Sequence, residues 1–142
     1  MFIFDEKHPK FVLDKYATKT VDSMSTGETI TLYQIVYRTG ERGGFVDNEN
    51  CLSQEGTCKI HEGAYVFENS EVSEDAQVFE GSTICDCVDI RGNATVKKSE
   101  IYRSVDIKDA TIKDCMICCS NSSAHIQIYW KGKLTGIRIF SD

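Results

Sequence analysis

Two cysteine runs, "CDC" at 85–87 and "CMICC" at 115–119, hold the residue types that could bind a metal. Thiolates two or three positions apart can share one tetrahedral ion. Three histidines, His8, His61 and His125, are the candidates for a general base. A third group is acidic: residues 51–90 hold nine carboxylates and one lysine, Lys59, whereas residues 91–142 hold nine bases and five acids. That asymmetry makes free nucleic acid a poor partner for the middle segment and a basic protein surface a good one. The chain contains no serine-nucleophile motif, P-loop or dinucleotide loop.

A six-residue beat positions these groups. Small residues recur at Cys58, Ala64, Ser70, Ala76, Ser82, Val88 and Ala94, and two positions after each comes Ile60, Val66, Val72, Val78, Ile84, Ile90 or Val96. Residues two apart on an extended chain point to one side. Gly63, Asn69, Asp75, Gly81 and Asn93 precede the small position, and these types turn cheaply or tolerate left-handed backbone. Cys87 is the exception in that column. Three short strands and three turns make a coil of about 18 residues, and stacked coils place each branched residue on its counterpart one coil away. From Ile107 the beat shortens to five: "IKDAT", "IKDCM" and "ICCSN" start at Ile107, Ile112 and Ile117.

The flanks read differently. Residues 1–46 form an N-terminal β cap in which "FIF", "KFVLDKYATKTV" and "TITLYQIVYRT" are strands, and the turn "SMSTGE" pairs the last two. Residues 47–123 hold the repeat. Residues 124–142, "AHIQIYWKG" and "KLTGIRIF", read as a C-terminal hairpin cap, because an open solenoid end exposes apolar surface and unpaired backbone. The predicted fold is a single all-β domain, a parallel β-helix of about three to four coils with strand caps. No apolar run long enough to span a membrane is present, and the first ten residues lack the pattern of a signal peptide. A cytoplasmic protein with its seven cysteines reduced is the expectation.

On such a coil His61 follows inward Ile60, so it faces outward as a surface histidine. Cys58 and Cys115 fall on inward columns, where cysteine acts as a small hydrophobe. Cys85, Cys87, Cys115, Cys118 and Cys119 therefore read as structural thiols, and neither a metal nor another cofactor is expected. Glu62, Glu68, Glu74, Glu80 and Asp86 share one column of the repeat; Glu62 lies under Glu80, Glu68 under Asp86, and Glu71 under Asp89. Tyr65, Phe67 and Phe79 occupy positions the ladder leaves outward. Charges flanked by aromatic groups suit protein docking, so these acids and aromatics form the expected partner-binding set. Reversing Glu68, Glu74, Glu80 and Asp86 is expected to leave the fold intact.

The beat is similar to that of the hexapeptide-repeat, left-handed β-helix superfamily, many of whose members are acyltransferases with a histidine base at a subunit junction. More specifically, "GGFVDNENCLSQEG" (43–56), followed by "AYVFENSEV" and "IRGNATV", resembles a group of phage and mobile-element β-helix proteins. Their pattern runs G-G-F-[IV]-x-x-x-x-N-L-S-Q-x-G and then many V-x-x-N-A-x-V units. "TLYQIVYR" fits the same group, so the resemblance covers roughly residues 28–96. Cys51 replaces the Asn before the leucine, and the last coils drift to five residues. The resemblance implies left-handed coils, and no motif in it places a catalytic role on His61. With the charge pattern it implies a non-catalytic protein that binds a basic protein or nucleoprotein complex, without direct nucleic-acid or membrane contact. The concrete version is a phage-encoded inhibitor of a host defence nucleoprotein such as a CRISPR effector, acting in the host cytoplasm. A hexapeptide-type acyltransferase and a structural part of a phage particle are the alternatives, and a homo-oligomer stays open.

Overall fold

The structure, a computed structural model, describes residues 2–120 and 124–141. β1 (Phe11–Asp22) and β2 (Thr29–Tyr37) pair antiparallel as the hairpin reading requires, and β3 (Arg42–Val46) adds antiparallel to β2. Phe2, Ile3 and Phe4 lie outside any strand, unlike the expectation for "FIF". A single 3-10 turn, Glu49–Cys51, leads into the repeat.

Short strands then follow one another around a prism. The first two coils hold β4 (Lys59–Ile60), β5 (Tyr65–Phe67), β6 (Glu71–Val72), β7 (Gln77–Val78), β8 (Thr83–Cys85) and β9 (Val88–Arg91). The next two hold β10 (Thr95–Lys97), β11 (Glu100–Tyr102), β12 (Val105–Lys108), β13 (Thr111–Lys113), β14 (Met116–Cys119) and β15 (Ile126–Tyr129). β16 (Lys133–Thr135) and β17 (Arg138–Ser141) complete the series. They stack as three walls. The first is β3-β5-β8-β11-β14-β17, extended beyond β3 by β2 and β1; the second is β4-β7-β10-β13-β16; the third is β6-β9-β12-β15. Wall neighbours pair parallel one coil apart: Val66 with Ile84, Val72 with Ile90, Val78 with Val96. The fold is a parallel β-helix, and its second wall is five strands deep.

That depth exceeds the expected three to four coils because residues 124–142 are not a hairpin cap. β15 pairs parallel with β12, β16 with β13 and β17 with β14. Leu134 and Ile139 repeat the spacing of Ile112 and Ile117, which they cover in register. A hairpin would have reversed one of these strands and taken its apolar row off the bore.

The corners explain how the beat can shorten. Ile84 pairs with Ile101 and Val96 with Ile112, so a residue is already lost between Val96 and Ile101, before Ile107. The loss falls in a corner, and the strands keep register. Gly63, Asn69 and Gly81 have the left-handed backbone expected of them, but Glu74 and Gly92 take that role in place of Asp75 and Asn93. Cys87 is no exception: with φ 64° it forms, with Asp86, a corner of two successive left-handed residues. Glu68–Asn69 and Arg103–Ser104 turn the same corner on the neighbouring coils.

The bore is filled by the small and branched columns, and Ala64, Val66, Ala76, Val78, Ala94 and Val96 are fully buried. Its N-terminal end is closed by side chains. The Tyr37 hydroxyl donates to the Ile60 carbonyl at 2.9 Å and accepts from the Ile60 N–H at 2.8 Å, pairing the free edge of β4. Lys10 Nζ donates to the Cys58 carbonyl at 2.7 Å. Gln54 accepts from the N–H groups of Lys10 and Phe11 and donates to the Phe11 carbonyl. Leu52 bridges to Val72 as the first inward residue of the third wall. The "LSQ" of the lead-in segment is therefore the joint between cap and coils.

Candidate functional site

The acidic column does not form one face. Glu62 lies between β4 and β5, Glu68 between β5 and β6, and Glu74 between β6 and β7. A six-residue period advances one wall per repeat, so consecutive members occupy different edges of the prism. Glu62 and Glu80 share one edge, Glu68 and Asp86 another, and Glu74 the third.

Glu68 is tied to the N-terminal hairpin. It accepts from Ser23 Oγ at 2.6 Å, Ser25 Oγ at 3.1 Å and the Met24 N–H at 2.9 Å. Burial pushes its carboxyl up, but these donors outweigh it and hold the group below the usual range. The hairpin tip thus folds over the first wall. It covers Phe67, expected outward but buried in a cluster with Leu32, Cys85, Val21 and Ile30. Glu68→Ala should lower stability by about 1–2 kcal/mol, read from the denaturant midpoint, because it orphans donors paired to a charge. A lowered folded value means this contribution is present above the ordinary carboxylate pKa and fades as pH falls through the folded one. Reversal of Glu68 should therefore also destabilise the hairpin, since these contacts set Glu68 apart from the rest of the column.

Other members are also engaged. Asp86 lies 3.7 Å from Arg103, and Glu62 accepts from Gln34 Nε2 at 3.3 Å. Tyr65 stacks on Phe45, and its hydroxyl takes a bond from Lys19 at 2.9 Å. Phe79 stacks on His61 with ring centroids 4.4 Å apart.

The third wall brings a row of carboxylates together. Glu71 and Asp89 are exposed, in-register partners on β6 and β9, and Asp106 is the next residue of the row. Asp106 is met by Arg91 at 3.4 Å and by the Tyr129 hydroxyl. Glu71 and Asp89 make no ion pair among the described residues. Burial, then the charge of Asp89, pushes the Glu71 carboxyl up; burial, then Asp106, does the same to Asp89 against the smaller opposing pull of Arg91 and His125. With raised folded values, the pair weakens the fold as pH rises through them, a penalty of a few tenths of a kcal/mol for an exposed cross-strand pair. Beside them a cleft of about 270 Å³ is lined by Asn48, Asn50, Asn69 and Ser70. The two lead-in asparagines were invisible as site residues in the sequence, since only the close packing of residues 48–50 on the first coil brings them to Glu71.

Two of the three histidines are held by structural contacts. His61 Nε2 lies 2.7 Å from Gln77 Oε1. His8 sits between Asp5 at 3.1 Å and Glu49 at 2.8 Å, and these bonds raise its pKa. His125 is exposed beside β15. Cys51, Cys58, Cys85, Cys115, Cys118 and Cys119 are buried, and Cys87 is exposed. Burial pushes the Cys85 thiol up to about 12. Among the described residues, no three His, Cys, Asp or Glu side chains gather as a metal cage, and no helix is long and apolar enough to cross a membrane. No known protein family and no curated protein matches the chain.

Proposed function

We propose that this chain is a non-catalytic binding protein that docks on a basic surface of a protein or nucleoprotein complex through its third wall. The observation that carries the reading is the in-register pair Glu71 and Asp89, two exposed carboxylates held together on a rigid strand ladder with no ion pair to either among the described residues. A fixed negative field of this kind speeds encounter with a basic partner and fades as salt screens it. The Asn48–Asn50 segment supplies adaptable hydrogen-bonding groups at its margin. Stacking and tethering of His61 favour a binding role over the acyltransferase alternative. The lead-in resemblance to phage and mobile-element proteins supports the concrete version: an inhibitor of a host defence nucleoprotein such as a CRISPR effector, at work in the host cytoplasm.

The test is capture from bacterial lysate by parent and Glu71→Lys/Asp89→Lys protein, at low and high salt. A nucleoprotein captured by the parent should fall at least about tenfold with the reversed pair and with added salt. Glu74→Lys, on another edge, should change little. Equal capture by the reversed protein would remove the third wall from the interface, and turnover of an acyl-coenzyme A would restore the enzyme reading.

A further inference from the structure

We propose that the last rung, β15–β16–β17, is a docking edge for an acidic, extended polypeptide segment that adds to the β-helix as a further strand. The two ends of the bore are built differently. At the N-terminal end Tyr37, Lys10 and Gln54 pair the free backbone groups. At the other end, β15, β16 and β17 each have one wall neighbour, and among the described residues no strand pairs their outer edges. The inward residues change in step. Ile107, Ile112 and Ile117 are fully buried, whereas Ile128, Leu134 and Ile139, one rung on, are only partly buried. Trp130, Ile137 and Phe140 stand exposed around the rim at 50%, 40% and 54%. Unpaired strand edges with an apolar inner row are what an added strand satisfies, its main chain completing the ladder and alternate side chains covering the row.

Charge selects the occupant. Residues 124–142 carry three bases, Lys131, Lys133 and Arg138, against one acid, Asp142, and Lys113 lies directly below Thr135 on the second wall. A second copy meeting end to end would bring two such basic rims together. A segment alternating carboxylate and apolar residues, added along β17, places an apolar side chain on Ile139 and a carboxylate beside Arg138; added along β16 it does the same with Leu134 and Lys133. Aromatic Trp130 sits at the margin, where interface anchors gather. Glu71 and Asp89, the pair of the proposed third-wall interface, lie three and two strands away from this edge, on β6 and β9.

Trp130 is the only tryptophan of the chain, so its emission reports on this end alone. A blocked short peptide of alternating glutamate and valine should shift that emission to the blue in a saturable titration. The apparent Kd should rise at least about tenfold in Lys133→Glu/Arg138→Glu protein, and high salt should weaken binding in the parent. Both substituted side chains are exposed, and circular dichroism checks that the fold is kept. No shift with the acidic peptide, or an equal response to an alternating lysine and valine peptide, would overturn the proposal. A blue shift that grows with protein concentration without peptide would assign the edge to a second copy instead.

Discussion

Val78→Asp should cost more than about 3 kcal/mol of stability, enough to unfold the chain under conditions where the parent is native. Val78 is fully buried on β7, with Ile60 below it and Val96 above it in the ladder. A carboxylate there faces branched apolar side chains on both rungs and has no cation to meet. It either stays charged without solvation or takes up a proton at the cost of a shifted pKa. Coils above and below share this row, so local repacking cannot spare the rest. The denaturant midpoint measures the loss, and a variant as stable as the parent would mean that Val78 does not point into the bore.

Gly44→Ala should cost about 3 kcal/mol, a large loss for one added methyl group. A Cβ on Gly44 would come within 2.4 Å of the Ala64 carbonyl oxygen, 2.6 Å of Ile60 Cγ2 and 2.9 Å of the His61 carbonyl oxygen. The Ala64 carbonyl cannot step aside easily, because it accepts from the Phe45 N–H at 3.0 Å and fixes β3 on the first coil. The reason for glycine here is space, since no left-handed φ is involved. Gly27→Ala offers the contrast. Its site is open, but φ is +76°, so the cost should be about 1–2 kcal/mol, the penalty of left-handed backbone alone. Equal losses for the two would mean that the close approach of β3 is not what Gly44 serves.

The β-helix was legible because its signal is local and repeated. Small-x-branched pairs at each inward position declare themselves within six residues, from Cys58-x-Ile60 to Ala94-x-Val96. The C-terminal rungs were misread because their wall partners lie 21 or 22 positions back, as with Ile107 and Ile128 or Ile117 and Ile139. Across such an excursion, "IQIY" and "KLTGIRIF" look like any two strands of a hairpin. The acids were legible as charges but not as neighbours. Glu68 shares its column with Glu74, yet its partners are Ser23 and Ser25, more than 40 positions earlier. Nothing local in "SMSTGE" announces that contact. The meeting of Glu71 with Asp89, by contrast, followed from the coil length, since the wall partners lie one coil apart.

The spacing of the ladder also bears on how the chain winds. Val66 finds Ile84 after 18 positions, Val96 finds Ile112 after 16, and Ile117 finds Ile139 after 22. Closure entropy grows with the logarithm of loop length, so a 22-residue coil costs only about 0.2 kcal/mol more to close than an 18-residue one. Each new coil therefore pays nearly the same entropic toll and docks on a template already in place. Assembly can run as zipper-like growth from the β1–β3 end, with no late event that must join distant parts of the chain. During synthesis, when the N-terminus emerges first, that direction lets every coil settle on its predecessor as it leaves the ribosome.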